Sequence, residues 1–372
     1  MFLFFLDGFF TTPAKLLAAF TTLVAAETYN EDAIGIGRKG TIDKPYVLQA
    51  PFWTVDTLFY AVPRKNNDLN FVFSIFQNVD WKKKDESTGV PSLSKTAIND
   101  VDILIPSLQE QEKIGSVFTS IDNLITLHQR KYDKLTKVKK SMLDKMFPKN
   151  GSNVPEIRFK GFSDAWEQRK LGELMNVTSV KRIHQSDWTT SGVRFLRARD
   201  IVSASKNEEP DDYLYISEEK YKEYSAISGK VQVGDLLVTG VGTIGIPLLI
   251  RSFKPLYFKD GNIIWFQNNS VINGNFLYYS FWGKQIQDFI SESAGIGTVG
   301  TYTIESGKKT PIFLPSISEQ EKIGRYFVEL DNLITLHQRG LIRSNLDSIT
   351  NALLNQYLCF RVPVLYADMF SV

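Results

Sequence analysis

The chain has one cysteine, Cys359, and three histidines in 372 residues. A lone cysteine excludes a disulfide framework and any cysteine-rich zinc site, and it suits a reducing, cytoplasmic compartment. Net charge is also scarce: Lys+Arg 43 against Asp+Glu 41 leaves +2, so a basic surface has to come from local segregation. A clean run of about twenty apolar residues is missing too. The apolar start, Met1 to Ala26, is broken by Asp7, Pro13 and Lys15 and has no positive n-region. Neither a secretory leader nor a membrane span is expected there, and the stretch is expected to pack as a strand or helix. There is no Walker A loop, no HExxH, no GxSxG and no Asn-Pro-Pro-Tyr-like motif, so catalytic machinery is not evident.

Two weaker signals remain. G-x-G-x-x-G occurs at 35–40, 240–245 and 295–300, but a dinucleotide fingerprint should open a helix. Pro247 follows the second, and the third runs into the β-prone Thr301-Tyr302-Thr303-Ile304. Glycine-rich turns can still offer backbone N–H groups to phosphates. Pro210-Asp211 followed by Glu218-Glu219-Lys220 resembles a metal-dependent nuclease signature. Its carboxylates should lie on adjacent strands around a cation, whereas this segment reads as an acidic helix start.

What the chain does contain is a long stretch present twice. Pro106-Ser-Leu-Gln-Glu-Gln-Glu-Lys-Ile-Gly115 leads to Asp122-Asn-Leu-Ile-Thr-Leu-His-Gln-Arg130. Pro315-Ser-Ile-Ser-Glu-Gln-Glu-Lys-Ile-Gly324 leads, at the same offset, to Asp331-Asn-Leu-Ile-Thr-Leu-His-Gln-Arg339. The period is too long for a solenoid and fits two domain-plus-helix units in tandem. Steps of four and three connect Ile114, Phe118, Ile121, Ile125, His128, Tyr132, Leu135, Lys139, Met142 and Met146, a heptad seam with two polar interruptions. A helix from about 109 to 147 would be roughly 58 Å long. The second copy gives Ile323, Phe327, Leu330, Ile334 and His337, then loses phase at Gly340, where a weak point is expected. Two narrow stripes of this kind are expected to pair as antiparallel helices, with two core helices of one larger domain as the other reading.

The segments before the two helices match in their later parts. Gly35 to Gly40 corresponds to Gly240 to Gly245, and β-type runs follow at Thr54–Tyr60 and Lys259–Phe266. Final strands, Val101–Ile105 and Pro311–Leu314, enter the prolines. A front section from Ser163 to Gly229 is expected to have no partner in residues 1–33. In the second unit Val193–Leu196, Asp235–Thr239 and Ile263–Phe266 read as strands, and Phe276–Ile290 reads as one amphipathic helix. Lys181, Arg182, His184, Arg194, Arg197, Arg199 and Lys206 form a basic stretch, followed by an acidic one over 208–223. If 193–199 is extended, Arg197 and Arg199 share a face and could pair with guanine edges or phosphates. Trp188 and Tyr302 could stack. A solvated basic face stays open as the other reading.

The paired proline–EQEKI–helix blocks resemble the specificity subunit of Type I restriction–modification systems. Ser163-Asp-Ala-Trp166-Glu-Gln-Arg-Lys-Leu-Gly-Glu173 and Trp188-Thr-Thr-Ser-Gly192-Val-Arg-Phe-Leu196-Arg-Ala-Arg-Asp200-Ile201 look like openings of its target recognition domains. The resemblance implies an α+β protein with two α/β target recognition domains, the first incomplete, separated by two long antiparallel coiled-coil helices. The corresponding boundaries are 1–105 for the truncated first domain, 106–150 for the first helix, 151–314 for the second domain, and 315–372 for the second helix and a divergent tail. It implies a non-catalytic, cytoplasmic reader of a bipartite site in double-stranded DNA, with the helices setting the gap. Partner methyltransferase and endonuclease subunits would carry S-adenosylmethionine, ATP and magnesium. Thr243, Lys254, Arg38 and Lys39 join the candidate DNA contacts. Two alternatives stand beside it: a nuclease using Asp211, Glu218 and Lys220, and a coiled-coil scaffold without DNA contact.

Overall fold

The computed structural model describes residues 12–24, 28–149, 151–294 and 300–360. Expectations for residues 1–11, for most of the third glycine motif, and for side chains beyond Arg343, Cys359 included, fall outside what is described. The chain packs as two units, Met1–Lys131 with His337–Val372, and Tyr132–Leu336. The division falls inside both long helices.

The first unit runs β1 (Thr12–Lys15), β2 (Phe20–Val24), β3 (Ala33–Gly37), β4 (Tyr46–Leu48), β5 (Leu58–Pro63), α1 (Leu69–Asn78), α2 (Lys95–Asn99), β6 (Asp102–Ile105) and into α3 (Leu108–Lys145). β1 pairs with β6, and β2-β5-β3-β4 form an antiparallel sheet. Strand alternation sends Ile34, Ile36, Phe59 and Ala61 to one face, where they meet Phe71, Ile75 and Phe76 of α1 in the core. α1 starts where the Asp68 carboxylate accepts the Phe71 N–H at 2.8 Å, an N-cap.

The second unit opens with β7 (Glu167–Lys170), α4 (Leu171–Leu174) and β8 (Asn176–Thr178). Next come β9 (Trp188–Thr189), β10 (Val193–Leu196), α5 (Ala198–Ser205), β11 (Leu214–Ile216) and α6 (Glu218–Ser228). Strands β12 (Leu236–Thr239), β13 (Pro247–Leu249), β14 (Leu256–Phe258) and β15 (Ile263–Gln267) follow. It closes with α7 (Gly274–Phe281), α8 (Lys284–Ser293), α9 (Ile304–Lys309), β16 (Pro311–Leu314) and α10 (Ile317–Phe360). The sheet order β8-β15-β12-β13 repeats β2-β5-β3-β4 strand for strand, and β7 pairs with β16 as β1 does with β6.

This overturns one expectation. Residues 12–24 occupy the place of residues 167–178, so part of the first 33 residues does have a counterpart. The match lies in backbone pairing, which these dissimilar side chains do not reveal. What the first unit lacks, among the described residues, is a layer: in the second unit β9, β10 and β11 join β14 in a second sheet, order β14-β10-β11-β9. Most of that layer is built from residues 179–235, whereas the first unit passes from Val24 to β3 at Ala33.

Other differences have local causes. The helix expected over Phe276–Ile290 is two, because Gly283 is extended and begins α8 as its N-cap. Thr301–Ile304 is no strand, since the Thr303 hydroxyl accepts the Ser306 N–H and starts α9. The β-run near Thr54 begins only at Leu58, after a turn. No break occurs at Gly340. A Cβ there would lie 2.6 Å from the His128 ring, so the glycine serves close helix approach rather than a hinge.

The twice-present stretch builds the same junction in each unit. Buried Gln111 donates to the Pro106 carbonyl at 3.0 Å and accepts the Asp68 N–H at 3.0 Å. Buried Gln320 donates to the Pro315 carbonyl at 3.0 Å and accepts the Asn273 N–H at 3.1 Å. A Cβ on Gly115 or Gly324 would sit 2.4 or 2.9 Å from the cap oxygen of Asp68 or Asn273. Each long helix is therefore fastened to the N-terminus of a core helix by one carboxamide. One shared glutamate is partnered differently in the two copies: Glu110 accepts from Ser107 as a capping box, whereas buried Glu319 takes a two-bond ion pair from Arg158 at 2.7 and 2.8 Å.

The seam positions Ile114, Phe118, Ile121, Ile125, His128, Tyr132, Leu135 and Met142 are half-buried between exposed flanks. In the second unit Ile323, Phe327 and Leu330 are buried and Leu135 and Met142 pack on that core, while Ile334 is half-buried. The Lys139 ammonium meets Asp331 at 2.5 Å and the rings of Phe147 and Phe327 are 6.0 Å apart, so the segments run antiparallel. Asp331 also accepts the Tyr279 hydroxyl at 2.6 Å. Lys139, a polar break in the seam, is thereby neutralised.

In the first unit the other polar break pairs with its own counterpart, His128 Nδ1 lying 3.0 Å from His337 Nδ1. One nitrogen must donate and the other accept, so the contact cannot survive with both rings charged. Burial, the His128 ring and the Lys131 ammonium hold His337 below the ordinary histidine value of about 6.5. A lowered folded pKa means stability present above that value and lost as pH falls. Thermal unfolding compared with a His128→Leu/His337→Leu variant should shift in the variant's favour between about pH 7 and pH 5.5. A difference constant with pH would contradict the lowered value of His337.

Candidate nucleic-acid interface

The second unit's additional layer sits on the outer face of its first sheet. Leu237, Ile263 and Trp265 point there and share a core with Val193, Phe195, Ile216 and Phe258 of the second sheet. The indole N–H of Trp265 reaches the buried Asp235 carboxylate at 2.8 Å, so even this polar edge is satisfied. Side chains on the far face of β10, such as Arg194, are left for solvent.

That layer carries most of the basic residues read from the sequence, and it sorts them into two kinds. β10 ends at Leu196, so Arg197 and Arg199 do not share a strand face as expected. Arg197 caps α5 and is only 16% exposed; it bonds Asp200 at 3.0 and 3.1 Å and Asp212 at 2.8 Å. Burial opposes its charge, yet the hydrogen bonds it donates to Asp212 and Asp200 outweigh this and raise its pKa. Arg199, more exposed, pairs with the same Asp212, whose carboxyl is held below its usual range chiefly by the hydrogen bond from Arg197. The basic and acidic stretches look separate in sequence. Antiparallel pairing of β10 with β11, Phe195 opposite Leu214, folds one onto the other.

Arg194 is different. Its guanidinium lies 4.1 Å from the Tyr213 ring centroid and 5.8 Å from that of Tyr215, and it donates to the Leu214 carbonyl at 3.1 Å. It borders an open hollow of about 400 Å³ shared with Leu196, Asp200, Glu209 and Tyr213. Lys181 is exposed with its ammonium 4.3 Å from the Tyr224 ring, and Arg182 is paired with Asp260 at 2.8 Å. His184 is exposed and opens a short turn closed by Asp187. Thr243 is exposed in the glycine turn after β12, where Gly242 and Gly245 have positive φ. Lys254 is exposed between β13 and β14, beside Phe253, which is 87% exposed. In the first unit Lys39 is exposed, while Arg38 lies over Phe59 at 5.6 Å and donates to the Asp56 carbonyl.

One of the two aromatic candidates is corrected. Tyr302 is buried and its hydroxyl bonds Thr310 at 2.5 Å; burial raises its pKa. Trp188 is half-buried against Phe195, with centroids 6.0 Å apart. Tyr302 is thus a packing residue rather than a stacking surface, whereas Trp188 keeps part of its ring open. The nuclease-like residues do not gather: Glu218 faces Lys222, and Lys220 faces Glu223 at 3.3 Å. Among the described residues no group of three or more potential ligands is placed to hold a metal ion.

A family model for the Type I restriction modification DNA specificity domain matches residues 15–137 and 163–344. The chain belongs to this family. The Type I restriction enzyme MjaVIII specificity subunit of Methanocaldococcus jannaschii is 25% identical over 90% of this chain and 77% of that protein. The putative specificity subunit S.HindORF215P of Haemophilus influenzae is 28% identical over 46% of this chain and 42% of that protein. The crystal structure of a Type I restriction–modification S subunit from M. genitalium has the same fold, with TM-score 0.57 at 12% identity, covering 94% of this chain and 96% of that one. The family match begins at residue 15, in keeping with the placement of β1 and β2.

Several residues of this specificity-domain surface were not singled out in the sequence. Phe253 had no periodic signal, being in a loop. Tyr213 and Tyr215 could have been suspected from alternation in β11, which faces β10. Asp212, the partner of both arginines, lay in a stretch that reads as generic acidity. Arg197→Ala should act on folding rather than reading, because it strands the buried Asp200. A loss of about 3 kcal/mol in chemical denaturation is expected, and an unchanged midpoint would put Arg197 back among the candidate readers.

Proposed function

We propose that this chain is the DNA-specificity subunit of a Type I restriction–modification complex and performs no chemistry itself. The observation that carries the reading is one family matching both units and the beginnings of both long helices. Sequence choice would come from exposed polar and basic side chains of the second unit's outer layer and the turns beside it, with Arg194, Lys181, Thr243 and Lys254 as the contacts of choice. Arginine on an aromatic ledge presents a fixed fork to a base edge. Lysines at loop tips suit phosphates, whose contribution falls with salt. S-adenosylmethionine, ATP and magnesium belong, in this reading, to methyltransferase and endonuclease partners. Cytoplasmic placement goes with such a role; among the described residues no helix is long and apolar enough to cross a membrane.

The repeated block also suggests where partners dock. Leu124 and Leu127 in the first unit, and their counterparts Leu333 and Leu336 in the second, are all well exposed. Internal packing does not explain leucine at four solvent-facing positions, whereas two equivalent apolar docking sites do. Each site would take one methyltransferase subunit. Mapping of adenine methylation in cells should show a target that disappears when this gene is removed. A Leu333→Glu/Leu336→Glu chain should fold, yet fail to restore methylation and fail to co-purify with a full complement of methyltransferase. Methylation independent of the gene would contradict the proposal.

A further inference from the structure

We infer that the two halves of the DNA target are read unequally, the second unit choosing bases and the first holding DNA without choosing them. This rests on the function just proposed, and it comes from how the first unit finishes the sheet that the second unit covers.

Strand register aligns the two sheets residue by residue. With Ile34, Ile36, Phe59 and Ala61 facing one core and Leu236, Val238, Ile264 and Phe266 facing the other, Gly35 takes the place of Leu237, Tyr60 of Trp265 and Leu58 of Ile263. In the second unit these three positions are buried under the outer layer. In the first unit the same face is closed from within. Gly35 lets the Tyr46 and Leu48 side chains of β4 lie on the strand; a Cβ there would be 3.2 and 3.1 Å from them. Tyr60 is covered by Tyr29 and Phe52, with ring centroids 5.4 Å away in each case. Two backbone hydrogen bonds at 2.8 and 3.0 Å tie Tyr29 to Phe52. Tyr60 is 6% exposed and Val62 7%.

A domain that had merely lost its outer layer would leave a wide apolar scar. Here a small aromatic lid covers Tyr60 and Val62 in place of the layer, while Leu58 stays half-buried and Tyr46 is exposed, so the first unit is a smaller lobe with a cover of its own. Among the described residues it has no counterpart of the β14-β10-β11-β9 sheet on which to mount base-reading side chains. What it keeps near the equivalent edge is charge: exposed Lys39 and the partly engaged Arg38. Charge without a fixed array of forks contacts phosphates and carries no sequence information directly.

Selection from randomised DNA, using the chain assembled with the methyltransferase subunits of its own system, tests this. One block of fixed bases is expected, with the other half showing no enrichment. Two blocks of comparable information would overturn the inference while leaving the DNA-specificity reading intact; no enrichment anywhere would overturn both. Lys39→Ala gives an independent measure. It should weaken binding to target and unrelated DNA by the same factor and lower the slope of log affinity against log salt by about one. A changed base preference, or an unchanged slope, would overturn the role given to the first unit.

Discussion

One buried carboxamide in each unit fastens a long helix to a lobe. Gln111 and Gln320 each bridge a proline carbonyl and the backbone N–H at the cap of a core helix, and a glycine one turn later permits the approach. The arrangement is demanding because both partners are backbone groups with few other ways of being satisfied. A shorter or charged side chain would leave two orphaned groups in the interior. This accounts for the identity of the Glu-Gln-Glu-Lys-Ile-Gly stretch in the two copies better than a general preference for helix formers. With each lobe locked to its helix, whatever a lobe grips is coupled to the seam.

The seam itself is narrow and only half-buried, which sets limits on what it can do alone. Its polar breaks are resolved by specific partners, Lys139 with Asp331 in the second unit and His128 with His337 in the first. Pairs of this kind fix register more than they add stability. Gly340 belongs to the same logic, since it gives up helix propensity to let the His128 ring in.

Much of this was legible before any coordinates. The repeat gave both long helices, and their apolar spacing gave the seam, because a strict period leaves few structural alternatives. The final strands into Pro106 and Pro315 and the strands at 193–196 and 263–266 were equally readable. The beginning of the first unit was not, because β1 and β2 match β7 and β8 through hydrogen-bond partners rather than side chains. Arg197 was misjudged for a related reason: whether an arginine is free depends on Asp212, a residue brought to it by strand pairing. Tyr302 looked available in a glycine-rich stretch, yet its hydroxyl is taken up by Thr310 inside the core. Sequence shows which charges exist; only the fold shows which are already spent on one another.

If, as we propose, DNA choice rests on the outer layer of the second unit, exchanging that layer is the most direct trial. Residues 179–258 would be replaced by the corresponding segment of a family member with a different target, keeping both long helices and their glutamine junctions. A folded chimera should acquire the donor's base preference in its assembled complex. A folded, DNA-binding chimera that keeps the original preference would contradict the assignment.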